Sequence, residues 1–516
     1  MLFSSIEFLY YFLAIVIALY FIVPFKLKNL ILLISSLFFY FWGEPVYTIL
    51  MAVMAFSGYA HGLLIDKYRG TKKSKFFLVS SIVVGLGALG FFKYSNFFIE
   101  NVNHFFDSAM STMALALPIG ISFYTFQILS YTIDLYRGKY AVQKNFIDFF
   151  TYVALFPQLI AGPIVRYSDI DKELKERTHS FENFAYGVNR FIIGLSKKVL
   201  IANVLGEFCN IAKTTSHMSV LFMWGYIIAY AIHIYFDFSG YSDMAIGLGR
   251  IFGFHFPENF NYPYISKSIT EFWRRWHMTL GSWFRDYVYI PMGGNRVSKW
   301  KWIRNIFVVW FLTGFWHGAG WNFIVWGLMF AILLLFEKIF FLGDSAIFNR
   351  KKKVVKANNL DIKEENTETT NNSNIKEEKA NEVKSRKSIG TVLWKGLKGI
   401  SVRVYVLFFL FISWMIFDAS NLSEAVSRIS VMLGLSGEEL VNADTLYYLR
   451  SYAAVFAIGI IGCTPLLKNI VLKIKGNEIG KRMINILEPV VQIALFVLTT
   501  AYLIDGSFNP FLYFRF

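Results

Sequence analysis

Long apolar runs separated by short polar or basic connectors dominate the chain. The runs fall at about 8–24, 30–43, 45–65, 77–94, 114–136, 147–163, 182–210, 219–238, 303–341, 402–418, 447–467 and 488–504. A bilayer core takes about 20 apolar residues per helix, and the run at 303–341 is long enough for two segments. The pattern predicts an all-α polytopic membrane protein of roughly 11–13 membrane segments. Several runs are short or interrupted by glycine, which predicts re-entrant and interfacial helices beside full spans. No internal repeat is visible.

The connectors set the expected orientation. Lys26 and Lys28, the stretch Asp66 to Lys75, the cluster Arg296, Lys299, Lys301 and Arg304, and the cluster Lys468 to Arg482 are basic, and are expected on the cytoplasmic side. Asn96 to Thr112 contains neither Lys nor Arg and is expected outside. The N-terminus, read as a retained first helix, and the segment Asp505 to Phe516 then fall outside as well. Arg350 to Lys387 breaks the composition: it is rich in Lys, Glu, Asn and Thr and has almost nothing to bury. It predicts a disordered charged cytoplasmic linker at 349–389, between a membrane core at 1–348 and C-terminal membrane helices at 390–516.

Composition narrows the classes. Of 516 residues, 55% are hydrophobic and 17% charged, and mean hydropathy is +0.46, which excludes a soluble multidomain protein. A net charge of +16 would point to nucleic acid in a soluble chain. Here the basic residues lie between apolar runs with no nucleic-acid motif among them, so they fit topology and contact with the lipid bilayer, not nucleic acid. Cys209 and Cys463 stand alone in apolar surroundings, and no Cys/His spacing fits a metal.

Candidate chemistry gathers in two stretches. In Thr313 to Asn322, His317 lies about 13 residues past Arg304, roughly 20 Å along a helix. A titratable group at that depth faces a bundle interior or a watery cavity. Gly314, Gly318 and Gly320 leave room beside it for a backbone or a ligand. A histidine bonded between packed helices satisfies the same pattern. In Glu271 to Asp286, preceded by a Ser268–Glu271 capping box, helical spacing puts Phe272, Trp276, Leu280, Trp283 and Phe284 on one face. Arg274, His277, Gly281 and Arg285 fall on another. That basic face suits a phosphate-bearing ligand or lipid headgroups. Asp237 and Asp243, expected where a span ends, could pair with arginines or act as bases. Gly85 to Gly90 matches G-x-G-x-x-G but has no strand before it, so helix packing is the better account. His233 reads as a packed core histidine.

Five ordered motifs carry a resemblance. Phe156 to Arg166, Tyr235 to Asp243, Glu258 to Tyr264, Phe272 to His277 and Phe315 to Gly318 together resemble the membrane-bound O-acyltransferase (MBOAT) family. The run Arg285 to Arg296, ending Gly293-Gly294-Asn295-Arg296, looks like its alginate O-acetylation (AlgI-type) branch. The resemblance covers most of residues 1–340. It implies a bowl-like helical bundle in the plasma membrane, with His317 as the catalytic histidine and His277 as the second. It implies an acyl group, acetyl in this branch, moved from a cytoplasmic donor such as acetyl-CoA to the far face. An extracytoplasmic SGNH-type acetyltransferase partner would finish transfer to a cell-surface polysaccharide. No permanently bound cofactor is implied. Arg274, Arg285, Asn261 and Asn322 are the residues expected to hold donor or intermediate, with Asn322, Trp316 or a glycine amide as oxyanion donor. Other readings are D-alanine export for teichoic acids, a non-enzymatic transporter, and a scaffold for a polysaccharide-modifying complex.

Overall fold

A computed structural model describes residues 1–160, 162–215, 218–341 and 389–506. Most of the linker expected at 349–389 and the end of the chain after Gly506 lie outside the described residues. Among the described residues every regular element is helical. In order they are α1 (Leu13–Ile22), α2 (Phe25–Gly43), α3 (Pro45–Lys67), α4 (Lys72–Phe106), α5 (Ile121–Tyr136), α6 (Phe146–Ala154), α7 (Phe156–Leu159), α8 (Tyr167–Lys175), α9 (Phe181–Ser196), α10 (Val204–Thr214) and α11 (Val220–Ile251). Then follow α12 (Ile269–Trp273), α13 (Met278–Phe284), α14 (Lys299–His317), α15 (Trp321–Phe336), α16 (Ile389–Asp418), α17 (Leu422–Met432), α18 (Ala443–Ser451), α19 (Ala453–Gly462), α20 (Leu466–Ile474) and α21 (Glu478–Asp505).

Among the described residues seven helices are long and apolar enough to cross a membrane: Phe25–Gly43, Pro45–Lys67, Lys72–Phe106, Val220–Ile251, Trp321–Phe340, Gly399–Asp418 and Glu478–Asp505. α18 and α19, bent by 58° at their junction, pass the same test as a pair. The remaining apolar runs are helical but shorter or interrupted. Pro157 interrupts the run after α6, and α9 reaches α10 only through a widened turn at Lys197–Asn203. This is a multi-pass membrane protein.

The most extensive seam joins α9 to α11. A Cβ on Gly187 would lie 2.6 Å from the Gly247 carbonyl oxygen, and one on Gly194 would lie 2.5 Å from that of Gly240. Paired glycines let the two backbones touch, the usual means of helix association in lipid. The carboxylates expected to end a span lie inside α11, which runs on to Ile251. Asp237 pairs with Lys198 at 2.6 Å, both almost fully buried. Asp243 pairs with Arg190 at 2.7 Å and with Lys197 at 2.6 Å. Their surroundings are those of helix-to-helix ties. His233 packs beside them, its Nδ1 2.6 Å from the Ala202 carbonyl. Gly85 packs against Leu129 of α5, whereas Gly87 and Gly90 meet nothing within 4 Å.

The C-terminal helices complete the core. Val406, Leu410, Trp414 and Phe417 of α16 are buried in one cluster with Phe272, Trp276, Trp326 and Phe330. The stretch after the linker therefore supplies a wall for the region holding both candidate histidines.

Candidate active site

α14 and α15 form an antiparallel pair broken at Gly318-Ala319-Gly320. His317 is the last residue of α14, and Gly320 stands before the first turn of α15. Space dictates the glycines. A Cβ on Gly318 would fall 2.2 Å from the Phe323 ring. Gly314 and Gly327 face each other, and a Cβ on either would lie 2.3 Å from a backbone oxygen of the other helix. The break puts His317 at an open helix end inside the bundle. Its ring is boxed edge-on by Trp316, Trp326 and Phe417, with centroids 4.9, 5.1 and 5.2 Å away. A cavity of about 40 Å³ opens beside it, lined among others by Lys93, Gly120, Ser122, Phe123, Trp316 and His317. At about 10–15 Å³ per water, that holds a few atoms.

His277 reaches the same wall from another direction. Its ring lies 6.1 Å from that of Trp316 and 4.7 Å from that of Phe238. The single amphipathic helix expected over Glu271 to Asp286 is broken here. α12 ends at Trp273, His277 takes a left-handed backbone (φ +44°), and α13 starts anew at Met278. The cause is an extended segment that takes over the hydrogen bonds. Asn261 N–H donates to the Arg275 carbonyl (2.9 Å), and Met278 N–H donates to the Asn259 carbonyl (3.0 Å). The aromatic face is buried as expected, but the basic face is split. His277 is buried, while Arg274, Gly281 and Arg285 are exposed. Ser268 caps α12 by accepting from Glu271 N–H (2.9 Å), but the Glu271 carboxylate bonds Lys267 N–H instead of completing a box.

Asn259, which sequence reasoning passed over for Asn261, fixes His277. Its Oδ1 accepts from Thr279 N–H (3.3 Å) and Thr279 Oγ1 (2.9 Å), and its Nδ2 donates to Ser242 Oγ (3.1 Å). An amide held that way offers only an acceptor to His277 Nδ1, 3.0 Å away. Nδ1 is therefore the protonated nitrogen, and Nε2 carries the lone pair in the neutral ring. Thr279 Oγ1 in turn accepts from Ile164 N–H (3.1 Å), which ties in the Gly162-Pro163-Ile164 stretch.

The other expected site residues have partners of their own or lie exposed. Asn261 is exposed. Arg285 binds Asp286 at 2.8 Å, and Asp286 also binds Arg166 at 2.8 Å. Burial opposes ionisation of Asp286, yet the hydrogen bonds from Arg285 and Arg166 hold its carboxyl below its ordinary value. Asn322 is buried and spends its Nδ2 on the Ala419 (2.8 Å) and Ile416 (3.4 Å) carbonyls, anchoring α15 to the end of α16. Lys93 was hidden inside an apolar run, although it is the only charged residue between Lys75 and Glu100.

The sequence profile of the membrane-bound O-acyltransferase family matches residues 34–356, a span that includes both histidines. The chain belongs to the MBOAT family. That makes its class an enzyme class, the acyltransferases. Among its relatives, the probable alginate O-acetylase AlgI of Pseudomonas aeruginosa is 45% identical over 343 residues, 66% of each chain. The peptidoglycan O-acetyltransferase of Helicobacter pylori is 38% identical over 369 residues, 65% of this chain and 70% of its own. The teichoic acid D-alanyltransferase of Bacillus subtilis is 33% identical over 238 residues, 43% of this chain and 60% of its own. This chain thus spans about two thirds of the length of the AlgI relative, and the MBOAT match takes in the broken helix pair that holds His317.

Proposed function

We propose that this protein is an O-acetyltransferase of the plasma membrane. In this reading it takes acetyl from a cytoplasmic thioester, acetyl-CoA, and moves it across the membrane for O-acetylation of a cell-surface polysaccharide. An extracytoplasmic SGNH-type acetyltransferase is the partner. The observation that carries the reading is His317, a boxed imidazole at the open end of a broken helix beside a cavity of a few atoms.

The chemistry follows from that position. As an acceptor hydroxyl attacks the thioester carbonyl, a carbon–oxygen bond forms and its proton passes to the His317 imidazole. Collapse of the tetrahedral adduct breaks the carbon–sulfur bond, and the imidazolium returns the proton to the departing thiolate. An enclosed apolar site strengthens the electrostatics of both steps. His277, with its tautomer set by Asn259, orients the acceptor or the first imidazole. In this reading Arg274 and Arg285, both exposed, take the donor phosphates. A second reading, export of D-alanine for teichoic acids, is favoured by the Bacillus relative, though over less of the chain.

The test is His317→Ala in the native host, at membrane levels matched to wild type. O-acetyl released from surface polysaccharide is expected to fall by about 10²-fold or more, the scale of a general base. Near-normal acetylation would refute the reading. Loss of ester-linked D-alanine in place of acetyl would select the second.

A further inference from the structure

Lys93 sits well inside a 35-residue helix that is long and apolar enough to cross a membrane. A lysine near a span end reaches for the interface. Lys93 reaches inward. Its Nζ donates to the Trp316 carbonyl at 2.5 Å and to the His317 carbonyl at 3.3 Å. The same ammonium lies 5.7 Å from the centre of the Trp316 ring. The next residue, Tyr94, donates its hydroxyl to the Phe315 carbonyl at 2.6 Å and stacks on the Phe315 ring at 3.9 Å. Two neighbouring side chains of α4 thus take three successive carbonyls at the open end of α14. Carbonyls at a helix C-terminus have no partner within their own helix. A cation placed on them also opposes the negative end of the helix dipole. The glycine break removes the chain that would otherwise continue the ladder, and α4 replaces it.

We propose that Lys93 is a positioning residue for the transfer reaction. Its ammonium clamps the end of α14 and fixes where His317 meets the cavity that both residues line. This rests on the acetyltransferase reading above. The clamp acts through the main chain, so it sets the place of the imidazole and leaves binding of the donor alone.

Native membranes carrying the full chain, given ¹⁴C-acetyl-CoA as probe, supply the rates. Lys93→Met is expected to lower the apparent kcat by about 10²-fold, the usual cost of misplacing a reacting group by about 1 Å. The apparent KM for acetyl-CoA should stay within about twofold, since only transition-state alignment is lost. Lys93→Arg, which keeps a cation with N–H donors, should recover at least about one tenth of the wild-type rate. A Met variant with near wild-type kcat overturns the proposal. So does an Arg variant as inactive as the Met variant, or a rise in KM at unchanged kcat. Thermal stability of each solubilised variant, measured alongside, must remain near wild type in Lys93→Met. A loss of activity that only tracks loss of folded protein overturns the proposal too. His317→Ala run in parallel separates the two levels. An active His317→Ala sinks the acetyltransferase reading, whereas an inactive one beside an active Lys93→Met sinks only the clamp.

Discussion

Gly314→Ala should disable the enzyme without touching either histidine. A Cβ at this position would lie 2.3 Å from the Phe323 carbonyl oxygen and 3.2 Å from the Gly327 Cα, whereas ordinary contact starts near 3.4 Å. Both obstacles are backbone, so no side chain can swing aside. α14 and α15 must separate locally by about 1 Å, because close-packed interiors do not absorb an added methyl. His317 lies three residues farther along α14, so the displacement reaches it almost undiminished. Overpacking of this kind costs about 1–3 kcal/mol of stability, and a 1 Å displacement of a reacting group costs about 10²-fold in rate. The assay is O-acetyl release from surface polymer at matched membrane levels, with the thermal midpoint of the solubilised protein beside it. Gly87→Ala is the control, because its Cβ would meet nothing within 4 Å. Near-normal acetylation by Gly314→Ala at an unchanged midpoint would show that the helix pair is not the rigid mount described here.

Asn259→Ala should strand the buried donors of Thr279 and His277, each at a cost of about 1–3 kcal/mol; a thermal midpoint and activity no worse than those of Asn261→Ala would refute that. Arg274→Gln with Arg285→Gln should raise the apparent KM for acetyl-CoA and spare kcat, and an unchanged KM would reassign both arginines to lipid contact.

Much of the architecture was legible because apolar run length and glycine punctuation are local signals. The break between α14 and α15 is written in Gly318 and Gly320, and His317 is deep by simple counting. The geometry around His277 was not legible. Its left-handed backbone follows from an extended segment about 16 residues upstream, and helical spacing cannot register a partner that replaces the ladder. For the same reason Asn261 was favoured and Asn259 was missed: both lie in one motif, and only the path of the chain decides which amide turns inward. Lys93 was averaged into an apolar run, though a lone charge at that depth is itself a signal. Asn322 lies beside the His317 motif in sequence, and its amide donates to carbonyls at and just past the end of α16, more than ninety residues away.

The Lys198–Asp237 pair constrains how the protein enters its membrane. Each residue is almost wholly enclosed, and Asp237 lies near the midpoint of α11. Carried into lipid alone, either charge costs about 2.5–3.5 kcal/mol at a helix centre on the insertion scale. Much of that cost is offset once the two lie against each other, and the facing glycines let that happen at backbone contact. Lys198 lies in the widened turn just after α9, so that turn gains its counter-charge only once α11 has been made. Both members of the pair precede His277 and His317 in the chain, so the charge is matched within the part made before either candidate histidine.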